Sequence, residues 1–245
     1  MIRNKSERER TYHMIRNYAL DGLMGLCVGD ALGVPVEFQS RETLNIHPVL
    51  SMRGYGTYHQ PPGSWSDDSS LTFILTQSLC HGYDLWDIAD GFIRWFTLGE
   101  WTPRQEVFDI GISTREAILR LMNGSNPVEA GGKEAFSNGN GSLMRILPVV
   151  FYTLYWTDTR KRFQVVQEVS SLTHGHPISL LACSIYVEYV IQLMKTKSRE
   201  IAYQNMKEVI TRFYHFIQED SFLKEREVSR REMNCLRTRD DRKPS

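Results

Sequence analysis

Asp67 and Asp68 stand side by side between the hydroxyls of Ser66 and Ser69, directly ahead of the helical run Leu71, Phe73, Ile74, Leu75 and Leu79. Two adjacent carboxylates and a hydroxyl at a helix start present hard oxygen donors in fixed directions, a donor set that suits Mg²⁺ or Mn²⁺. The same residues also suit a helix start with no ion, in which Ser66 is the N-cap and the two acids complement the positive end of the helix dipole. Three more polar clusters fall at turns. Gly29-Asp30-Ala31-Leu32-Gly33-Val34-Pro35-Val36-Glu37 adds two carboxylates, although Gly-Asp is also ordinary punctuation at a helix end. Ser137-Asn138-Gly139-Asn140-Gly141-Ser142-Leu143-Met144-Arg145 is a glycine-rich turn whose backbone N–H groups can bind phosphate or ribose oxygens, with Ser142 or Arg145 as further donors. A plain loop with Arg145 in a structural ion pair is the alternative there. Ser171-Leu172-Thr173-His174-Gly175-His176-Pro177 offers two histidines, either to orient a ligand or simply to cap the next helix.

The elements that must hold these clusters are helical. Apolar groups recur at helical spacing through Tyr12, Ile15, Ala19, Leu23, Leu26 and Cys27, while Gly22, Gly25 and Gly29 would let a second helix approach closely. Asp84 reads as the N-cap of a helix to Phe96, with Leu85, Ile88, Ala89, Phe92, Trp95 and Phe96 as its apolar stripe. Another helix runs from about Thr114 to Met122 and stops at Asn123-Gly124. The longest, Pro177 to about Lys195, is apolar on almost every side and is expected to be the buried central helix. Alternating patterns of strand type are scarce and no repeat is found, so the expected fold is an all-α bundle.

Composition narrows the function classes. Lys plus Arg and Asp plus Glu balance at 29 each, so no global field favours nucleic acid or an anionic membrane. The four cysteines, Cys27, Cys80, Cys183 and Cys235, form no CxxC pair, and three of them are expected to be reduced core residues. No uninterrupted apolar run is long enough to span a membrane and no signal-peptide core follows the charged amino terminus, so a soluble cytoplasmic protein is expected. Residues 224–245 carry eight basic and five acidic side chains and no aromatics, which predicts a tail that is disordered or a frayed helix after a domain over 1–223.

Taken together and in order, the four clusters resemble the ADP-ribosylglycohydrolase family, which includes the dinitrogenase-reductase-activating glycohydrolases. The family pattern is a Gly-Asp-Ala-x-Gly-x-Pro-x-Glu turn, a Thr-Asp-Asp-Thr motif, a Gly-Asn-Gly-x-x-Met-Arg loop and a Thr-His element before a long helix. All four occur between about Leu20 and Met194, with Ser66 and Ser69 in place of threonines. The resemblance implies an all-α fold around a two-metal centre of Mg²⁺ or Mn²⁺, and a metal-dependent hydrolase. Its reaction would cleave the glycosidic bond of ADP-ribosyl groups on protein side chains or small compounds through a divalent-metal-activated water. It also implies Ser66, Asp67 and Asp68 as metal ligands, Glu37 as an acid/base or gate beside the catalytic pair Asp67 and Asp68, and Asp30 as support for the metal shell. Gly139, Asn140, Gly141 and Ser142 would face the diphosphate or distal ribose, with His174 near the ligand. The implied partners are ADP-ribose or an ADP-ribosylated protein, with neither nucleic acid nor membrane.

One family element is missing. A late Gly-x-Asp-x-Asp-Thr motif supplies further metal ligands in the family, and Thr238-Arg239-Asp240-Asp241 does not reproduce it. The expectation is therefore a carboxyl-terminally truncated bundle, the product of a shifted or alternatively ended reading frame, with weakened metal affinity. A non-catalytic ADP-ribose-binding protein on the same scaffold is the alternative function.

Overall fold

A computed structural model describes the backbone of residues 5–215 and the side chains of residues 17–215. Its helices are α1 (Lys5–Gly33), α2 (Arg41–Ile46), α3 (Asp67–His81), α4 (Leu85–Leu98), α5 (Ile112–Met122), α6 (Leu147–Thr153), α7 (Thr159–Ser171) and α8 (Pro177–Thr196), with a further helical stretch over residues 199–215. Among the described residues the extended pairing is confined to one isolated parallel bridge, Gly132 to His174, so the all-α expectation holds. The chain divides into two compact units, Met1–Ile191 and Gln192–Ser245. In the second, Ala202 and Met206 are buried and Asn205 donates to the Gln192 side chain at 3.2 Å.

Within the first unit α3 is the hub, packing on α1, α4 and α6. Its apolar spacing buries Leu71, Ile74, Leu75 and Leu79, which fastens the Ser66-Asp67-Asp68 end to the core, with Ser66 and Asp67 buried and Asp68 half-buried. Helix α4 starts on Asp84, whose carboxylate accepts from the backbone N–H groups of Trp86 and Asp87, and it buries Ile88, Ala89, Phe92 and Trp95 as the stripe predicted. Helix α1 reaches α6 through Gly22, where a β-carbon would lie 3.1 Å from the Phe151 ring. Gly25 and Gly29, expected to serve the same purpose, face open space instead.

Two expectations are corrected. Helix α8 is not buried all round: Ser179, Cys183, Ser184, Val187, Glu188 and Ile191 form its buried face, whereas Ile178 is exposed. Part of that inner face is polar because Glu188 pairs with Arg162 of α7 at 2.8 Å, both side chains almost fully buried, and Arg162 also donates to the Trp156 carbonyl. Averaged over a window, Asn17–Val36 and Pro177–Thr196 do reach the length and mean hydropathy, 1.4 and 1.5, of a membrane span, although neither is an uninterrupted apolar run. Each nonetheless carries a carboxylate held by protein partners, as the core helices of folded domains do: Asp30 is bound by Ser66 and Ser69, and Glu188 by Arg162. Cys27 and Cys183 are buried as expected and Cys80 is exposed; Cys235 and the tail of residues 224–245 lie outside the described residues.

Candidate active site

The first four N–H groups of a helix have no partner within it. At the start of α3 a carboxylate from another helix meets that need. Asp30, on the last turns of α1, accepts from the Ser66 N–H (2.9 Å) and hydroxyl (2.8 Å) and from the Ser69 N–H (3.1 Å) and hydroxyl (2.5 Å). Ser66 in turn caps the helix, its Oγ accepting from the Asp68 N–H at 3.2 Å. The capping reading of Ser66 is thus realised, and its hydroxyl keeps one lone pair for any other use. Asp30 is committed to clasping α3 onto α1.

Around this clasp an open cleft of about 430 Å³ is lined by Asp30, Glu37, Ser66, Asp68 and Asp109, with Gly29, Gly33, Val34 and Val36 as its apolar floor. Glu37 reaches the cleft because the loop after it is pinned: the Thr57 hydroxyl donates to the Glu37 carbonyl at 2.6 Å, and its N–H to the Pro35 carbonyl at 3.2 Å. Gly56 permits this contact, since a β-carbon there would fall 1.8 Å from the Pro35 oxygen. Asp67 turns away from the open cleft into a tight crevice with Trp65, Trp95, Phe108 and Asp109. Asp109 lines both spaces.

The electrostatics follow from that crowding. Burial, then the charges of Asp109, Asp68 and Asp30, push Asp67 up to about 8. Burial, then Asp30, Asp109 and Glu37, push Asp68 up to about 6. Asp109 and Glu37 are also raised, chiefly by burial, with Tyr58 beside both partly offsetting the rise. No Lys or Arg among the described residues acts on any of the four. Hard oxygen donors carrying uncompensated negative charge have the chemistry a divalent cation requires. Even so, among the described residues no three His, Cys, Asp or Glu side chains form a group able to hold an ion on their own. The donor types and charge fit; the described residues would supply only part of the coordination.

A second cluster lies at the glycine turn. The ring of His174 packs against Gly139 and Gly141, and a β-carbon on Gly141 would stand 2.6 Å from His174 Cε1 and 3.0 Å from Thr114 Oγ1. His174 is held there by the pairing of residues 131–132 with 171–175, through Gly131 N–H to the Ser171 carbonyl and Gly175 N–H to the Gly132 carbonyl. The segment leading into α5 joins the two clusters, with Asp109 on the acidic cleft and Thr114, in the first turn of α5, beside Gly141. Gly139 and Asn140 are exposed. Ser142 is not: its hydroxyl lies in the core, accepting from Ser170 at 2.9 Å and 3.4 Å from Cys183 Sγ. Of the two histidines, His176 has the capping role, accepting from the Ile178 N–H.

Sequence reasoning missed Asp109 and Tyr58. An acid just before an amphipathic helix was the only signal for Asp109, and Tyr58 gave none.

A family model described as ADP-ribosylglycohydrolase matches residues 12–243, further in both directions than the four clusters reach. The ADP-ribosylarginine hydrolase Tri1 of Serratia proteamaculans is 29% identical over 76% of this chain and 50% of its own length. The ADP-ribosyl-[dinitrogen reductase] glycohydrolase of Rhodospirillum rubrum is 31% identical over 69% of this chain and 55% of its own. A solved structure titled ADP-ribosylglycohydrolase-related protein complex superposes with a TM-score of 0.62 at 29% identity, over 77% of this chain and 60% of that one. The chain spans about half the length of the curated relatives it matches. Fold, ordered clusters and family match agree, and the chain belongs to the ADP-ribosylglycohydrolase family.

Proposed function

We propose that this chain acts on ADP-ribosyl groups as a hydrolase, cleaving the bond between the anomeric ribose carbon and a protein side chain or small acceptor. The observation that carries this reading is the gathering of Glu37, Asp68 and Asp109 at one open cleft, with Asp67 in the crevice that Asp109 also lines, and no Lys or Arg among the described residues acting on them. Departure of the acceptor leaves oxocarbenium-like positive charge on the ribose, and carboxylates fixed in a poorly solvated site stabilise that charge without reorganising. Glu37, at the cleft and with its pKa raised first by burial and then by Asp109, is suited to pass a proton to or from the reacting oxygen or nitrogen. Ser66, Asp67 and Asp68, with Asp109 beside them, are the groups that would contribute to holding Mg²⁺ or Mn²⁺, as part of a ligand set that the described residues do not complete. When bound, such an ion supplies positive charge that orients ribose hydroxyls and acidifies water. The exposed backbone of Gly139 and Asn140, with His174 behind it, is suited to the diphosphate or distal ribose; Ser142 would contribute through its backbone only.

The name of one relative, the ADP-ribosylarginine hydrolase of Serratia proteamaculans, makes ADP-ribosylarginine the first substrate to try. Release of ADP-ribose that requires Mg²⁺ or Mn²⁺, stops with chelator and is lost in the Asp67→Asn/Asp68→Asn double variant is the expected result. A second reading, an ADP-ribose-binding protein without turnover, is favoured by the incomplete ligand set among the described residues. It predicts ADP-ribose-dependent thermal stabilisation with no product. Neither release nor stabilisation would remove both readings.

A further inference from the structure

We infer that Arg145 and Thr173 are positioning residues that hold His174 in a single neutral tautomer, leaving its Nε2–H as a fixed hydrogen-bond donor at the Gly139–Gly141 turn. The chain of contacts begins in the core. Arg145 is fully buried over the Phe92 ring, 4.7 Å from guanidinium carbon to ring centre, and its Nη2 donates to the Val169 carbonyl (3.0 Å) and to Thr173 Oγ1 (2.8 Å). A guanidinium can only donate, so the Thr173 oxygen must accept that bond and its own proton has to go elsewhere. The hydroxyl is wholly buried and its other partner is His174 Nδ1 at 2.9 Å. If Nδ1 carried a proton and donated it to Thr173, the threonine O–H would be left buried without an acceptor, which folded proteins avoid. The threonine proton therefore goes to Nδ1, and the ring's own proton sits on Nε2. Burial, then the charge of Arg145, lower the imidazole pKa to about 4, so the ring is neutral near pH 7.

The other edge of the ring faces the turn. A β-carbon on Gly139 would lie 3.5 Å from Nε2, and one on Gly141 would lie 3.2 Å from it. His174 is only 3% exposed, and Nε2 makes no hydrogen bond to any described residue. A neutral donor of fixed direction, framed by two glycines, is built to meet an acceptor oxygen. The relay also gives Arg145 a purpose beyond packing: its Nε and Nη1 have no hydrogen-bond partner, and the bond it does spend on a side chain sets the histidine's proton. The identity of the ligand oxygen, on the diphosphate or ribose of ADP-ribose, rests on the function proposed above; the tautomer relay does not.

The test is long-range ¹H–¹⁵N correlation spectroscopy of the full ¹⁵N-labelled chain, with the His174 signals identified by their loss in His174→Gln, combined with ADP-ribose titration calorimetry. The wild type and Thr173→Ser are expected to show the Nε2–H pattern, and Thr173→Val, matched in shape but without the hydroxyl, an averaged one. Loss of one oriented donor should weaken ADP-ribose binding roughly tenfold in Thr173→Val and by less than about twofold in Thr173→Ser. An Nδ1–H pattern in the wild type, which can be read whether or not the valine variant folds, overturns the relay. So does an unchanged Nε2–H pattern in Thr173→Val. Equal ADP-ribose affinity in the wild type and Thr173→Val despite a lost tautomer overturns the donor role. If even the wild type binds no ADP-ribose, the proposed function falls and the spectra still decide the relay.

Discussion

Asp67 is the side chain whose ionisation the fold resists most clearly, and this resistance has a measurable sign. Its folded pKa of about 8 lies above the ordinary 3.8, so the folded chain binds more protons than the unfolded chain between those values. Stability from this group is complete below about pH 4 and declines as pH rises towards 8. Asp67→Asn mimics the protonated acid. In metal-free protein it should raise the melting temperature at pH 8 and leave it nearly unchanged at pH 4, while hydrolysis is abolished. Equal melting curves at pH 8 would show that burial and the neighbouring acids do not oppose its ionisation. On the proposed function the same residue would oppose folding and serve the site, the trade expected where charge is concentrated for chemistry. Near His174 the corresponding steric test is Gly141→Ala, whose added carbon collides with the imidazole and with Thr114. That variant should weaken ADP-ribose binding at least tenfold with a smaller loss of thermal stability, since Gly141 lies in a turn and the added carbon meets only side-chain atoms of His174 and Thr114.

At the level of elements, the connection between α1 and α3 is the one on which the site depends. Asp30→Ala would strand the Ser66 and Ser69 donors at the start of α3, and a loss of about 2–4 kcal/mol in chemical denaturation is expected. Glu188→Gln would leave Arg162 charged and buried between α7 and α8, with a loss of about 3–5 kcal/mol by the same measurement. Helices α3, α4 and α5 were legible because each pairs a capping or stopping signal with an apolar stripe: Ser66 and Asp84 do cap, and Asn123 does end α5. Helices α6 and α7 escaped notice; the first is a seven-residue apolar stretch with Pro148 in its first turn, and the second begins with the charged run Thr159-Arg160-Lys161-Arg162. The candidate site was legible at Glu37, Ser66, Asp67, Asp68 and His174 because their order, rather than any local pattern, matches a family. Asp109 and Tyr58 were not, since what makes them part of the site is a loop that returns to the cleft. Nor does sequence reveal that the Ser142 hydroxyl turns inward, because inward and outward turns of a glycine-rich segment read alike.

Over the whole molecule the titrations oppose one another and leave a characteristic profile. His174, with a folded pKa near 4 against an ordinary 6.5, adds stability as pH rises through that interval. Asp67 and Asp68 remove stability as pH rises, the latter towards about 6 and the former towards about 8. Above pH 6.5 the Asp67 contribution acts alone among these three, so the metal-free melting temperature should decline between pH 6.5 and 8.5. Added Mg²⁺ or Mn²⁺ should reverse the decline and have little effect at pH 4.5, because protonated carboxylates neither repel each other nor bind cations well. A shift of equal size at both pH values would place the ion elsewhere. The bond from Asp30 to Ser66 and Ser69 carries one more consequence, in the order of events during folding. It joins positions 36 and 39 residues apart, so the chain must close a long loop before the carboxylates are gathered. The backbone amides of Ser66 and Ser69, sealed beneath that carboxylate, should exchange with solvent deuterium together and only when α1 lifts from α3, making those two protons a direct clock for how often the cleft comes apart.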